Sequence, residues 1–267
     1  LPELPEVETV RRNLIRTIQG KTVTSVTVHT PQSILKGDPN QLVGMTFADV
    51  QRVGKYLILL TDGNLTLTAH LGMSGMFIWS GDIQEVPSHV RVVIGFHDGL
   101  LYFRDIRRLK GLWIHGKDSV VWKEIGIDAL SPDFTTTYLA SVLASRKRDI
   151  KQLLLDQSLI AGIGNIYASE ILFRAGISPQ RSGQSLKNKE ISALHSAVVD
   201  ILEVAISMGG TTLRDYRLSN GSAGEFRQIL TVYGREGENC TKCGSVIQRI
   251  TQGQRSSYFC PSKGCQR

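Results

Sequence analysis

The chain has 267 residues, 41% of them hydrophobic, enough to bury a core in one large domain or in two or three small ones. It carries 31 Lys and Arg against 24 Asp and Glu, a formal charge of +7, which favours a polyanionic partner through steering. No stretch approaches the ~20 apolar residues of a membrane span, and the acidic amino end lacks an apolar leader segment, so a soluble, cytoplasmic protein is expected.

The chain opens Leu1-Pro2-Glu3-Leu4-Pro5-Glu6-Val7-Glu8-Thr9-Val10. From Leu4 the apolar residues fall at Val7, Val10, Leu14 and Ile18, one face of a helix that Gly20 stops. Proline is harmless in a first turn, where its missing N–H had no partner. Taken as pattern, this is a capped amphipathic helix. Taken as chemistry, Pro2 without Leu1 would carry a secondary amine with a pKa near the ~8 of an α-amino group. That amine is a nucleophile near neutral pH, its iminium an electron sink, and Glu3 stands beside it as acid or base.

Short alternating runs follow at 22–29, 46–53, 56–61, 64–71, 90–96 and 100–104, several joined by Asp-Gly turn signals at 62–63 and 98–99. They predict an antiparallel β-sandwich. Ser131-Pro132-Asp133 offers a cap and first turn for a helix whose apolar face is Tyr138, Leu139, Val142 and Leu143. The basic run Arg146-Lys147-Arg148 with Lys151 then reads either as a solvated helix end or as a track for a phosphate backbone.

Residues 153–170 give an apolar helix, a Gly162-Ile163-Gly164 turn and a second helix opening at Asn165. The unit is either a plain helical hairpin or a helix-turn-helix whose second helix offers N–H groups to an anion. A core helix follows through Ile191, Leu194, Val198, Leu202 and Ala205 to Gly209-Gly210. Residues 211–235 then read as a long functional loop.

All four cysteines lie at the far end, as Cys240-x2-Cys243-x16-Cys260-x4-Cys265. Two close pairs around a hairpin-sized stretch suit a tetrahedral thiolate site for one structural Zn2+ with no open position. Arg249, Arg255, Tyr258 and Phe259 in that hairpin make it either a phosphate contact or a simple folding staple.

The motifs beyond the amino end are Arg52-Val53-Gly54-Lys55-Tyr56-Leu57, His70-Leu71-Gly72-Met73-Ser74-Gly75, Asp105-Ile106-Arg107-Arg108, Gly162-Ile163-Gly164-Asn165-Ile166-Tyr167 and Val232-Tyr233-Gly234-Arg235. With Pro2-Glu3-Leu4-Pro5-Glu6, and in this order, they resemble the bacterial formamidopyrimidine-DNA glycosylases along essentially the whole chain. The resemblance implies a multidomain α and β protein: an N-terminal β-sandwich with an amino-terminal helix (1–130), a helix-two-turn-helix domain with a lesion-recognition loop (131–234) and a C-terminal zinc finger (235–267). It implies an enzyme acting on double-stranded DNA that contains oxidised purines or abasic sites, and a monomer is expected.

By the same resemblance Pro2 is the nucleophile, Glu3 the acid or base, Lys55 the group near β-elimination and Arg255 the group linked to δ-elimination. Arg107, Arg146, Lys151, Asn165 and His89 are expected DNA contacts. Met73, Arg107 and Leu109 are expected to fill the void left by a flipped base. Leu109 stands where the family usually has phenylalanine, and leucine is a wedge that cannot stack as an aromatic ring does. Two rival readings stay open: an endonuclease VIII-like glycosylase for oxidised pyrimidines, and a non-catalytic zinc-finger binder of damaged DNA if Leu1 is retained.

Overall fold

The computed structural model describes residues 2–81, 86–121, 124–211 and 225–266. They form two compact units, Leu1–Lys123 with Met208–Glu225, and Glu124–Ser207 with Phe226–Arg267.

The first unit starts with helix α1 (Leu4–Ile18), and Leu4, Val7, Val10, Leu14 and Ile18 are each no more than 2% exposed, the face that the spacing predicts. Burying such a side chain stabilises by about 1.5–3 kcal/mol, so this stripe anchors the amino end. Nine strands follow: β1 (Ser25–Val28), β2 (Ile34–Lys36), β3 (Phe47–Val53), β4 (Tyr56–Thr61), β5 (Leu65–His70), β6 (Met76–Ser80), β7 (Val90–Phe96), β8 (Gly99–Arg104) and β9 (Leu112–Gly116). They make two sheets, ordered β1-β7-β8-β6 and β2-β9-β5-β4-β3, with one core that includes Phe47, Leu57, Leu67, Phe77, Ile94 and Phe103.

The sandwich is as expected, but three of its strands escape the alternation rule. In β6 and β9 the runs Met76-Phe77-Ile78-Trp79 and Leu112-Trp113-Ile114 are continuously apolar, which a period of two does not detect. The third, β2, has only three residues. The strand expected over 22–29 is shorter, with Thr22 joined to Thr46 by an isolated bridge. At 98–99 the loop is His97-Asp98, and Gly99 already pairs with Phe96.

In the second unit come β10 (Ile127–Asp128), α2 (Thr136–Leu143), α3 (Ile150–Leu155), β11 (Ile160–Ala161), α4 (Asn165–Ala175) and α5 (Asn188–Ser207). Helix α2 starts later than the Ser131-Pro132-Asp133 signal predicts. Ser131 Oγ and the Asp133 N–H close a turn at 3.2 Å, and the cap is Thr135, whose Oγ1 accepts from the Tyr138 N–H at 3.1 Å. The helical hairpin is real: α3 and α4 flank the glycine turn, and β10 and β11 add a short parallel pair. A hairpin of β12 (Gln248–Gln252) and β13 (Arg255–Phe259) completes the unit. The long loop expected at 211–235 falls largely on residues 212–224, which lie outside the described residues. Of the described helices none is long and apolar enough to cross a membrane.

Candidate functional site

Pro2 and Glu3 are buried at the head of α1, with Glu3 as its N-cap. The side chain holding this corner is Glu6. Its Oε2 accepts from the Glu3 N–H at 2.9 Å, and its Oε1 accepts from the Thr211 N–H at 2.7 Å and Thr211 Oγ1 at 3.0 Å. Glu6 is 1% exposed, so one carboxylate ties the Pro2-Glu3 step to the residue preceding 212–224. Gly210 permits the approach. Its φ is +79°, and a Cβ there would sit 2.6 Å from Glu6 Oε1. Sequence reasoning passed over Glu6 although a glutamate three residues after an N-cap is a recognisable helix-start signal.

Lys55 occupies the two-residue turn between β3 and β4, with Gly54 at φ +57°. Arg52 braces that turn, donating from Nη1 to the Gly54 carbonyl at 3.0 Å and from Nε to Glu8 Oε2 at 3.2 Å. Burial works against the charge of Glu8, yet hydrogen bonds from Arg11 and Arg12 and the charge of Arg52 hold its carboxyl below the usual range. Helix α1 therefore positions both the amino end and the lysine turn. Tyr56 follows Lys55, pairs with His70 across β4 and β5, and meets its ring edge-on at 4.8 Å. Burial, with the charges of Lys110 and Lys55, pushes His70 down to about 4, so it is neutral at pH 7. His70 Nδ1 accepts from the Gly72 N–H at 2.9 Å.

Of the three expected wedge residues, Met73 and Arg107 meet, with Arg107 Nη1 3.6 Å from Met73 Sδ. Leu109 is on the same loop as Arg107 and is 53% exposed. His89 is exposed with φ +66°, at the turn before β7.

In the second unit Gln157 braces the glycine turn, donating from Nε2 to the carbonyls of Leu155 and Ile163 and accepting from the Gly162 N–H, all at 2.9–3.0 Å. Asn165 is half-buried as the first residue of α4, and its Oδ1 is buried without a partner among the described residues. Glu170, 2% exposed, accepts from the backbone N–H groups of Thr231, Val232 and Tyr233 at 2.8–3.0 Å. It fixes the Val232-Tyr233 motif from inside. Arg146 is half-buried, its Nη1 donating to the Val142 carbonyl.

Lys151 is the buried member of the basic run. It is 1% exposed, and its Nζ donates to the Ser256 carbonyl and to Ser257 Oγ, both at 2.8 Å. Those two bonds fasten it to the β12–β13 hairpin. Charge patterning left a solvated end and a phosphate track both open, and it does not report which lysine a neighbouring strand covers. Arg255 is exposed at the hairpin tip, where Gly253 and Gln254 both have positive φ, the geometry of a tight two-residue turn.

The sulfurs of Cys240, Cys243, Cys260 and Cys265 all lie within 4.8 Å of one another, with Cys240–Cys265 at 3.9 Å and Cys243–Cys260 at 3.5 Å. A tetrahedral site with Zn–S near 2.3 Å needs sulfurs about 3.8 Å apart, so four thiolates fit one structural zinc.

Three family models match in order. They are the formamidopyrimidine-DNA glycosylase N-terminal domain at residues 1–112, the formamidopyrimidine-DNA glycosylase H2TH domain at 125–217, and the zinc finger found in FPG and IleRS at 237–262. The chain is 40% identical to the formamidopyrimidine-DNA glycosylase of Geobacillus kaustophilus, with all of both chains covered. It is 38% identical to that of Desulfitobacterium hafniense, with 98% of each covered. Among solved structures, a mutant of the Lactococcus lactis FPG in complex with a Fapy-dG containing DNA gives a TM-score of 0.93 at 35% identity over both whole chains. The L. lactis Fpg with an abasic site containing DNA gives 0.92 at 34% identity over 99% of each.

Proposed function

The chain belongs to the formamidopyrimidine-DNA glycosylase family, and from that premise we propose that it excises 8-oxoguanine and formamidopyrimidines from duplex DNA with Pro2 as nucleophile, then cuts the strand at the abasic site. Membership makes it a base-excision repair glycosylase with abasic-site lyase activity, one structural zinc and double-stranded DNA as partner. We place it in the cytoplasm as a monomer. The observation carrying the assignment of the nucleophile is the Pro2-Glu3 step, buried at the head of α1 and held through Glu6.

The Pro2 nitrogen attacks C1′ of the flipped nucleotide, the bond from C1′ to the base breaks, and the base leaves with its electron pair. Glu3 supplies the proton transfer that opens the sugar, giving an iminium between Pro2 and C1′. That cation lowers the cost of removing a proton from C2′, and the 3′ phosphate departs by β-elimination, with Lys55 near the transferring proton. A second elimination, assigned to Arg255, releases the 5′ phosphate. Hydrolysis of the iminium returns the amine. Arg107, Arg146, Asn165 and His89 serve as DNA contacts. Lys151 acts from within, by holding the hairpin that carries Arg255.

The test is borohydride trapping on a duplex with 8-oxoguanine opposite cytosine, followed by peptide mass analysis. An adduct on the Pro2 nitrogen is expected, and requires that no residue precede Pro2. An adduct on a lysine would reassign the nucleophile, and none from protein starting at Pro2 would favour a non-catalytic binder. One solved L. lactis complex contains an oxidised pyrimidine, with 35% identity to this chain, so an oxidised-pyrimidine duplex belongs in the same assay.

A further inference from the structure

Met73 and Arg107 stand on different loops, one between β5 and β6 and the other between β8 and β9, yet their side chains touch. Beneath them is a buried polar pair. Ser74 Oγ donates to Asp105 Oδ1 at 2.6 Å, with Ser74 0% and Asp105 1% exposed. The Arg107 N–H donates to both, at 2.9 Å to Ser74 Oγ and 3.1 Å to Asp105 Oδ1. Asp105 fastens a third segment through its backbone, its N–H donating to the His89 carbonyl at 3.1 Å and its carbonyl accepting from Arg91 Nε at 2.7 Å.

We propose that Ser74 and Asp105 are positioning residues that join the two loops into one preformed wedge and so set selectivity for the base opposite the lesion. This rests on the reading in which Met73 and Arg107 fill the void. At 2.6 Å the Ser74–Asp105 hydrogen bond is short, and away from water it is not exchanged for solvent. Without it, each loop would have to be ordered as the DNA is opened, and the ordering would be charged against the inserted state. The Arg107 backbone is the point of greatest sensitivity, because its N–H is bound by both members of the pair. A residue meant to read one base by hydrogen bonding tolerates little displacement.

The experiment compares the parent with Ser74→Ala, Asp105→Ala and Asp105→Asn on three duplexes: 8-oxoguanine opposite cytosine, 8-oxoguanine opposite adenine, and a preformed abasic site. For the two alanine variants, single-turnover base excision opposite cytosine is expected to fall about tenfold or more, with the cytosine-to-adenine ratio moving toward one. Cleavage at the preformed abasic site stays within about threefold, because the nucleophile's corner is held separately by Glu6. Asp105→Asn keeps an oxygen acceptor for Ser74 and Arg107 and restores most of the ratio. An unchanged ratio in both alanine variants overturns the proposal, and so does an equal loss on all three duplexes, which marks a general folding defect. A parent that leaves lesion and abasic duplexes intact would overturn the underlying function and this inference with it.

Discussion

At the scale of single residues the site is made by side chains that hold other side chains. Glu6, Arg52 and Gln157 each contact backbone, at Glu3, at the turn that carries Lys55 and at the glycine turn before Asn165. His70 gives this arrangement a pH signature. Unfolded, it binds a proton with a pKa near 6.5; folded, burial and the nearby lysines bring that to about 4. Between these values unfolding takes up a proton, so stability is complete above about 6.5 and falls with pH until about 4, by about 3 kcal/mol in all. Trp79 and Trp113 stand in β6 and β9, so fluorescence-detected denaturation follows the sandwich that holds His70. The expected result is a midpoint that drops between pH 6.5 and 4 in the parent and much less in His70→Asn. Equal pH slopes would remove His70 as the cause.

Secondary-structure elements decide which charges remain available to a partner. The motif Arg146-Lys147-Arg148 with Lys151 is legible as basic, but it does not say that β13 lies over Lys151 and uses its ammonium as a tie. Replacing Lys151 by Met would keep the apolar stem and leave the Ser256 carbonyl and Ser257 hydroxyl without their donor, at a cost of about 1–3 kcal/mol. Faster amide hydrogen exchange across β12 and β13 and faster zinc release to a chelator are expected. Unchanged exchange there would mean that the hairpin does not depend on this tie. The late start of α2 has the same kind of cause: Ser131 spends its hydroxyl on a local turn with Asp133, leaving Thr135 to cap.

For the whole molecule, a charge of +7 implies association with DNA that weakens steeply with salt. Each phosphate neutralised on a duplex adds about 0.9 to the slope of log affinity against log salt. Arg255→Gln and Arg146→Gln should each flatten that slope by about one and weaken binding to any sequence alike, whereas Met73→Ala should lower affinity for lesion duplexes with the slope retained. Titrations by fluorescence anisotropy at several salt concentrations measure this directly. A parental slope retained in Arg255→Gln would take that arginine off the phosphate backbone.

By itself the sequence determined the helix face of α1, the sandwich, the helical hairpin and the cysteine site, because each rests on local periodicity or spacing that survives without knowledge of neighbours. The apolar runs of β6 and β9 were less legible, since Ile78 and Trp113, half-buried on the face away from the core, are apolar too and erase the alternation. Only the tertiary structure decided what the polar residues do. Glu6 reaches Thr211, Ser74 reaches Asp105, Glu170 reaches 231–233 and Lys151 reaches 256–257, contacts separated by 31 to 205 positions. A buried hydrogen bond is satisfied by whatever the fold brings near, and no pattern along the chain records that partner.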